Sequence, residues 1–302
     1  MIRAETHENE LVNSFRKDFL QGVKRAGGRA VIFSCEGFSG WPFTGYQNSS
    51  VVASMLREAT TGYDIKIIIY LRRQSEFIES MYAQTIHEGA AISMDEFLEG
   101  FVSPKALMYS RIINDFAEKF GRVNVIVRSY HAASRRGILN DFGEIVGVSR
   151  LTEFEQERKN PSYSLHAIKI AKRSNLELDL AQKQRLRHAL QKVMAKDDSE
   201  YFMLLSKAQH DVLTQRYADD NRWIADEYFS GNIETTFPSV SEEASSSSQS
   251  TLCHDQVSRL VVELLSWPSG QRNETGLLAG ARIALAAYPR LTTILRTILG
   301  RN

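Results

Sequence analysis

Cysteine is nearly missing from this 302-residue chain: only Cys35 and Cys253 are present, far apart in sequence. Two distant thiols make no disulfide framework, and a reducing, cytoplasmic setting is the expectation. An excess of charge of one sign is missing too. The 37 Lys and Arg against 36 Asp and Glu leave a formal net charge of +1. Global electrostatics therefore select no polyanion, no nucleic-acid partner is expected, and any anion site has to be local. The opening residues MIRAETHENE contain no apolar core, so no signal peptide is expected there. Long hydrophobic runs are absent as well. The most apolar late stretch, 276–299, is interrupted by Arg282, Pro289, Arg290 and Arg296, and arginines near the middle of a bilayer are costly, so no transmembrane segment is expected. No repeat of fixed period is found. With 43% apolar and 24% charged residues, the composition is that of a globular protein with a sizeable core, in one large or two ordinary domains.

What is present is an alternation of helical and extended patterns. Leu11, Phe15, Phe19 and Val23 recur at helical spacing and predict a helix over 11–25 that stops at Gly27-Gly28. Ala30-Val31-Ile32-Phe33-Ser34 is short, apolar and partly β-branched, and reads as a buried strand. A loop over 37–42 leads to a predicted helix over 50–60. Ile65 to Leu71 is a second apolar strand, followed by helices over 75–87 and 105–120, a third strand over 123–127 and a helix over 137–146. Strands separated by helices predict an α/β fold, one parallel sheet flanked by helices on both faces and holding all three strands. The pattern over 164–228 is helical throughout. The serine-rich, acidic stretch 242–250 reads as a flexible linker, and helical segments follow over 256–265 and 277–299. The expected organisation is an α/β domain over 1–237, a linker over 238–254 and a helical tail over 255–302.

The most informative segment runs from Ile67 to Tyr82. A buried strand ends in Arg72-Arg73 and a helix begins at once. Ligands of open α/β sheets bind beyond the carboxyl ends of the strands, so Arg72 or Arg73 sits where a ligand would be. Ser80 lies about two turns into the helix, and helical side chains lean back toward the N-terminus. An arginine, a hydroxyl and a helix N-terminus together suit a phosphate dianion. The alternative is that both arginines pair with Glu76 or Glu79 at the surface.

Arginine at a strand end, serine eight residues later and an aromatic two beyond resemble the 3′-phosphate motif of sulfotransferases that use 3′-phosphoadenosine 5′-phosphosulfate; Arg72, Ser80 and Tyr82 match it. The wording from Tyr70 to Tyr82 is similar to a bacterial branch often found near surface-glycan genes. Val31 to Glu36, Phe116 to Tyr130, Asn160 to Ser164 and Asn221 to Phe229 resemble further parts of that branch in the same order, over about 11–237. The resemblance implies a P-loop NTPase type of fold and transfer of a sulfuryl group from the nucleotide donor to a hydroxyl or amine of a glycan or small molecule. It implies Arg72 and Ser80 as ligands of the 3′-phosphate, Asn160 and Ser162 as further nucleotide contacts, and Glu36 as the base that takes the acceptor's proton. Each has a structural alternative. Glu36 reads equally as a capping or ion-paired residue of the Gly37 loop, and Ser162 or Ser164 as the cap of the following helix. Trp41 reads first as packing, although Phe38, Trp41, Phe43 and Tyr46 also cluster as a possible acceptor lining.

Other chemistry is weaker. Cys253-His254-Asp255 borders the linker, where no rigid scaffold would hold a nucleophilic dyad, and a metal site needs more ligands, so no metal is expected. Sulfotransferases open with a strand, a Gly-rich Lys-Thr/Ser loop and a helix; no such loop stands in this sequence, and Gly27-Gly28 precedes a strand pattern instead of following one. The expectation is an N-terminally truncated member that lacks one central strand. The rival reading is a degenerate, non-catalytic member serving as a nucleotide- or glycan-binding or interaction module.

Overall fold

The computed structural model describes residues 2–148, 163–195, 202–238 and 254–265. It divides into two compact units. One comprises Met1–Gln74, Leu98–Phe154 and His210–Ser239; the other comprises Ser75–Phe97, Glu155–Gln209 and Val240–Asn302. The described residues are mostly helical with one two-stranded parallel sheet, an α/β arrangement in the broad sense.

In the first unit, α1 (Ile2–Ala26) buries Val12 and Phe19 and packs on α2 (Ser49–Ala59), whose small Ala53 and Ala59 let the helices approach. Arg16 of α1 donates to the carbonyls of Glu58 at 3.2 Å and Ala59 at 2.9 Å. Those carbonyls end α2, where a cation opposes the helix dipole and satisfies oxygens that have no helical partner. β1 (Ile67–Leu71) and β2 (Val125–Ser129) pair in parallel, from Ile67 opposite Val125 to Leu71 opposite Ser129. α5 (Tyr109–Phe120) buries Ile112, Ile113, Phe116 and Phe120 at helical spacing and packs on both strands. Gly121, at φ 85°, ends it and turns the chain toward β2. α6 (Tyr130–Arg136) starts on the residue after β2, with Ser129 Oγ accepting from Ala132 N–H at 3.2 Å. On α7 (Ile138–Val146) the buried Asp141 accepts from Tyr70 at 2.8 Å and Arg136 at 3.0 Å, so its charge is paired. α11 (Ala218–Tyr228) packs on α5, and α12 (Ile233–Thr236) on β2.

The strand expected at Ala30 to Ser34 is not formed: residues 31–35 run as irregular backbone, and Ile32 is 54% exposed. Phe33 carries the only large ring of the segment, and it meets Phe15 and Phe19 of α1, with centroids 6.2 and 5.2 Å apart. The apolar run is anchored to that helix by Phe33, with Val31 beside Gly22. Among the described residues the sheet holds two strands, and neither pairs with it. Without a neighbouring strand to take its N–H and C=O groups, an apolar run stays at the solvent edge.

The second unit holds α3 (Gln74–His87) from Ser75 onward, α8 (Leu165–Ser174), α9 (Leu180–Val193) and α13 (His254–Leu265). Its core includes Ile78, Ile86, Ala167 and Leu190, all fully buried. Sequence-local caps set its helix starts. Ser164 Oγ accepts from Ala167 N–H at 3.3 Å, and Asp179 and Gln182 form a reciprocal capping box on α9. Asn175 donates to the carbonyls of Ile86 at 2.8 Å and Ala90 at 2.7 Å, closing the end of α3. The expected linker 242–250 and tail helix 277–299 lie outside the described residues. No helix among the described residues is long and apolar enough to cross a membrane.

Candidate functional site

The strand register decides the geometry at the carboxyl end of the sheet. Leu71 stands opposite Ser129, so Arg72 and Tyr130 are the next residues out on the two chains. The Arg72 guanidinium lies over the Tyr130 ring, 5.6 Å from its centroid. Arg73 diverges from it. Its Nη2 donates to the carbonyl of Phe237 at 2.8 Å, while Ser129 Oγ donates to the carbonyl of Thr236 at 3.0 Å. The turn after α12 thus straps the ends of both strands through its carbonyls. Gln74, buried, exchanges amide hydrogen bonds with Asn221 of α11, at 2.7 and 3.1 Å. Of the two adjacent arginines, Arg73 is committed to backbone carbonyl oxygen, and Arg72 is the one whose planar cation rests on an aromatic face.

Behind Arg72 stands Tyr109, the first residue of α5. Its ring stacks on Phe237, with centroids 6.4 Å apart, and its backbone N–H is held by the Asp220 carboxylate at 2.8 Å. Burial holds the Tyr109 phenol well above its ordinary pKa, the neighbouring Tyr46 and Tyr217 push the same way, and the Arg72 charge opposes them. Tyr46 comes next. Burial, and then the Glu36 carboxylate, push its phenol up to about 12. Tyr46 adopts the left-handed conformation at φ 61°, which is uncommon for a bulky side chain and marks a position that its surroundings over-determine. The surroundings are explicit. Arg111 donates to the Tyr46 carbonyl at 2.9 Å and to Ser49 Oγ and the Asp115 carboxylate, and the Tyr46 N–H donates to the Trp41 carbonyl at 2.9 Å.

The Glu36 carboxylate thus acts electrostatically on the Tyr46 phenol, and the Arg72 charge on the Tyr109 phenol; both phenols are neutral at neutral pH, and Tyr109 is buried.

The expected site residues fare differently. Glu36 is exposed and opens a short 3-10 turn, Glu36–Ser39, so it stands in a loop and not at a strand end. Ser80 is exposed on α3, in the second unit. Tyr82, two residues on, is a core residue: it is buried, its hydroxyl donates to the Ile92 carbonyl at 3.0 Å, and its ring meets Phe97 edge-on. Asn160 and Ser162, with the preceding Arg158 and Lys159, lie outside the described residues, as does Cys253. Among the described residues no group of three or more His, Cys, Asp or Glu side chains could hold a metal ion. Tyr109, Asp220 and Phe237 were not singled out from the sequence. Their only signal is that each borders an apolar helix pattern, which says nothing of what they meet.

The Arg72–Tyr130 contact gives a first prediction. Replacing Tyr130 by Leu removes an aromatic face worth about 0.5–1 kcal/mol to a partly exposed cation. The Arg72 Nε–H resonance is expected to be shifted by the ring in wild type and in Tyr130→Phe, and to lose that ring shift in Tyr130→Leu. An unmoved resonance in Tyr130→Leu would show that the ring does not hold the guanidinium.

No protein-family model, curated protein or solved structure matches the chain.

Proposed function

We propose that this chain is a sulfotransferase-like protein of the P-loop NTPase type, acting in the cytoplasm. Its reaction would move a sulfuryl group from 3′-phosphoadenosine 5′-phosphosulfate to a hydroxyl or amine of a glycan or small molecule. The observation that carries the reading is the placement of Arg72. It follows a parallel strand directly and rests on the Tyr130 ring. A planar cation seated on a ring keeps its N–H fork in one orientation, which suits two oxygens of a phosphate. The residues present fit the 3′-phosphate end of the donor, with Arg72 as its charged ligand. The resemblance adds Ser80 to that end, and Asn160 and Ser162 to the nucleotide.

In the transfer step the acceptor oxygen or nitrogen attacks sulfur. The bond from sulfur to the 5′-phosphate oxygen breaks, and adenosine 3′,5′-bisphosphate leaves with that electron pair. The acceptor's proton goes to the Glu36 carboxylate, which is exposed and so able to meet an incoming acceptor.

Calorimetric titration tests the reading. Wild type is expected to bind adenosine 3′,5′-bisphosphate more tightly than adenosine 5′-monophosphate. Arg72→Ala is expected to abolish that preference, since a hydrogen-bonded contact to a charged group is worth about 1.5–3 kcal/mol. Ser80→Ala is expected to reduce it less, because a neutral hydrogen bond contributes about 1 kcal/mol. Equal affinity of wild type for the two nucleotides would sink the assignment. Selective binding with no sulfuryl transfer to any acceptor would instead assign the chain to the non-catalytic branch of the same family.

A further inference from the structure

β1 is open along one side. It pairs with β2 on the other, and among the described residues no backbone group of any further segment bonds to Ile67–Leu71. α5 packs on both strands, and β2 is packed further by α6 and α12. The strand itself is Ile-Ile-Ile-Tyr-Leu, and only Leu71 is buried; the other four residues are half-buried. It carries no charge, proline or glycine, and its pairing with β2 runs without a bulge. Charge, proline and bulges are the devices by which a strand edge is ordinarily made unattractive to another strand. The apolar exposure continues beside the strand's start. Tyr63 and Phe33 are both exposed, and their rings share Phe19, with centroids 5.0 and 5.2 Å from it.

The flanking charges decide what such an edge accepts. Residues 64–66 precede β1 outside any helix, strand or turn, and Arg72 follows it. Side chains alternate along a strand, so Asp64, Lys66, Ile68, Tyr70 and Arg72 fall on one face. A strand and its symmetry mate about a two-fold axis normal to the sheet run antiparallel, and the register is set by the residue on the axis. Centred on Ile69, the pairing sets Lys66 opposite Arg72, two like charges that oppose it. Centred on Ile67 or Tyr70, it sets a cation against the apolar Ile68. Centred on Ile68, it sets Asp64 opposite Arg72, Lys66 opposite the Tyr70 ring and Ile67 opposite Ile69. In that register every residue faces a compatible one, and symmetry makes each match twice. A strand of an unrelated chain would have to supply the same order of one acidic, one basic and several apolar residues; a second copy of β1 carries it.

We propose that the open edge of β1 is the contact of a homodimer, in which β1 of two copies pairs antiparallel about Ile68 and the sheet becomes four strands in the order β2-β1-β1-β2. Strand addition gives the open N–H and C=O groups their partners, and a contact of one patch with itself closes at two copies. The inference does not rest on the nucleotide reading, and its test uses no nucleotide.

Sedimentation equilibrium of the whole chain is expected to show monomer and dimer in a ratio that follows concentration. Asp64 is exposed, so its replacement leaves the core intact. Asp64→Lys turns both facing pairs from opposite to like charge and is expected to weaken the dimer about tenfold, most strongly at low salt. Adding Arg72→Asp to that variant makes the facing charges opposite again and is expected to recover most of the loss. Crosslinking reads the register in a chain carrying Cys35→Ser and Cys253→Ser, which removes both cysteines. Ile68→Cys then faces its own copy with Cα atoms about 4.5–5.5 Å apart, within reach of a disulfide, and is expected to give a linked dimer on mild oxidation. Lys66→Cys, opposite Tyr70 in that register, is expected to give none. A monomer at every concentration overturns the proposal and leaves the edge to a strand of another chain. A dimer indifferent to Asp64→Lys, one that links through Lys66→Cys as readily as through Ile68→Cys, or assembly past two copies overturns it equally.

Discussion

Gly45→Ala is expected to destabilise the protein by about 2–5 kcal/mol, through two separable costs. The first is conformational. Gly45 sits at φ 66°, and alanine pays roughly 1–2 kcal/mol to occupy the left-handed region. The second is steric. A Cβ at Gly45 would stand 2.7 Å from the Ala106 Cβ and 2.8 Å from the Ala106 Cα and the Leu107 N. Two of those atoms are backbone, so no rotamer change relieves the clash, and overpacking of this kind adds about 1–3 kcal/mol. Nor is the neighbouring chain free to retreat. Leu107 is fully buried, lies at φ 55° and donates its N–H to the Gly45 carbonyl at 2.9 Å. Gly62→Ala isolates the first cost: Gly62 also has positive φ, at 91°, but nothing lies within 4 Å of its Cβ position. Urea unfolding of both variants at constant slope separates the two contributions. Equal midpoints would mean that the Ala106 backbone yields. Because Gly45 precedes Tyr46, the same substitution is also expected to disturb the spacing between Glu36 and Tyr109.

The parts of this arrangement that could be read from sequence are those set by neighbours in sequence. Ile65 to Leu71 reads as a strand, Ser164 as a helix cap, and Gly121 as a helix stop; each depends on residues a few positions away. The run Ala30 to Ser34 carries the same apolar signal as β1, but a strand also needs a partner, and no local pattern reports one. What Arg73 meets was likewise beyond local reading: its partner is the Phe237 carbonyl, 164 residues downstream. The Gln74–Asn221 exchange spans 147 residues, and the Asp220 contact to Tyr109 spans 111. The aromatic cluster around Trp41 was visible as a composition, while its division into an exposed indole and a strained, half-buried Tyr46 required the backbone of Gly40, Gly45 and Leu107.

Asp220 is where that long-range dependence has the largest consequence for the candidate site. α5 starts at Tyr109 with no side-chain cap from the residue before it. The cap comes from α11: the Asp220 carboxylate accepts from Tyr109 N–H at 2.8 Å, Ser110 N–H at 3.3 Å and the Ser110 hydroxyl. Asp220→Ala leaves these helix-terminal donors without an acceptor and is expected to cost about 2–3 kcal/mol. The same loss frees the backbone that positions Tyr109, so the nucleotide preference assigned to Arg72 is expected to weaken as well. Asp220→Asn keeps one acceptor oxygen and isolates the charge. Two influences on that charge oppose each other. The Ser110 and Tyr109 donors and the Arg111 charge favour the ionised form, while burial disfavours it and prevails, leaving the carboxyl above its usual 3.8. The sign follows from linkage. A carboxyl whose folded pKa is raised stabilises the fold fully below its unfolded value and loses that contribution as pH climbs through the folded one. Asparagine does not titrate, so the stability advantage of wild type over Asp220→Asn is expected to be greatest below pH 3.8 and to shrink as pH rises through the raised value. Urea midpoints of both proteins across that interval measure it. A gap that widens with rising pH would show that the cap and the helix dipole outweigh burial, and that Asp220 works as an ionised cap throughout.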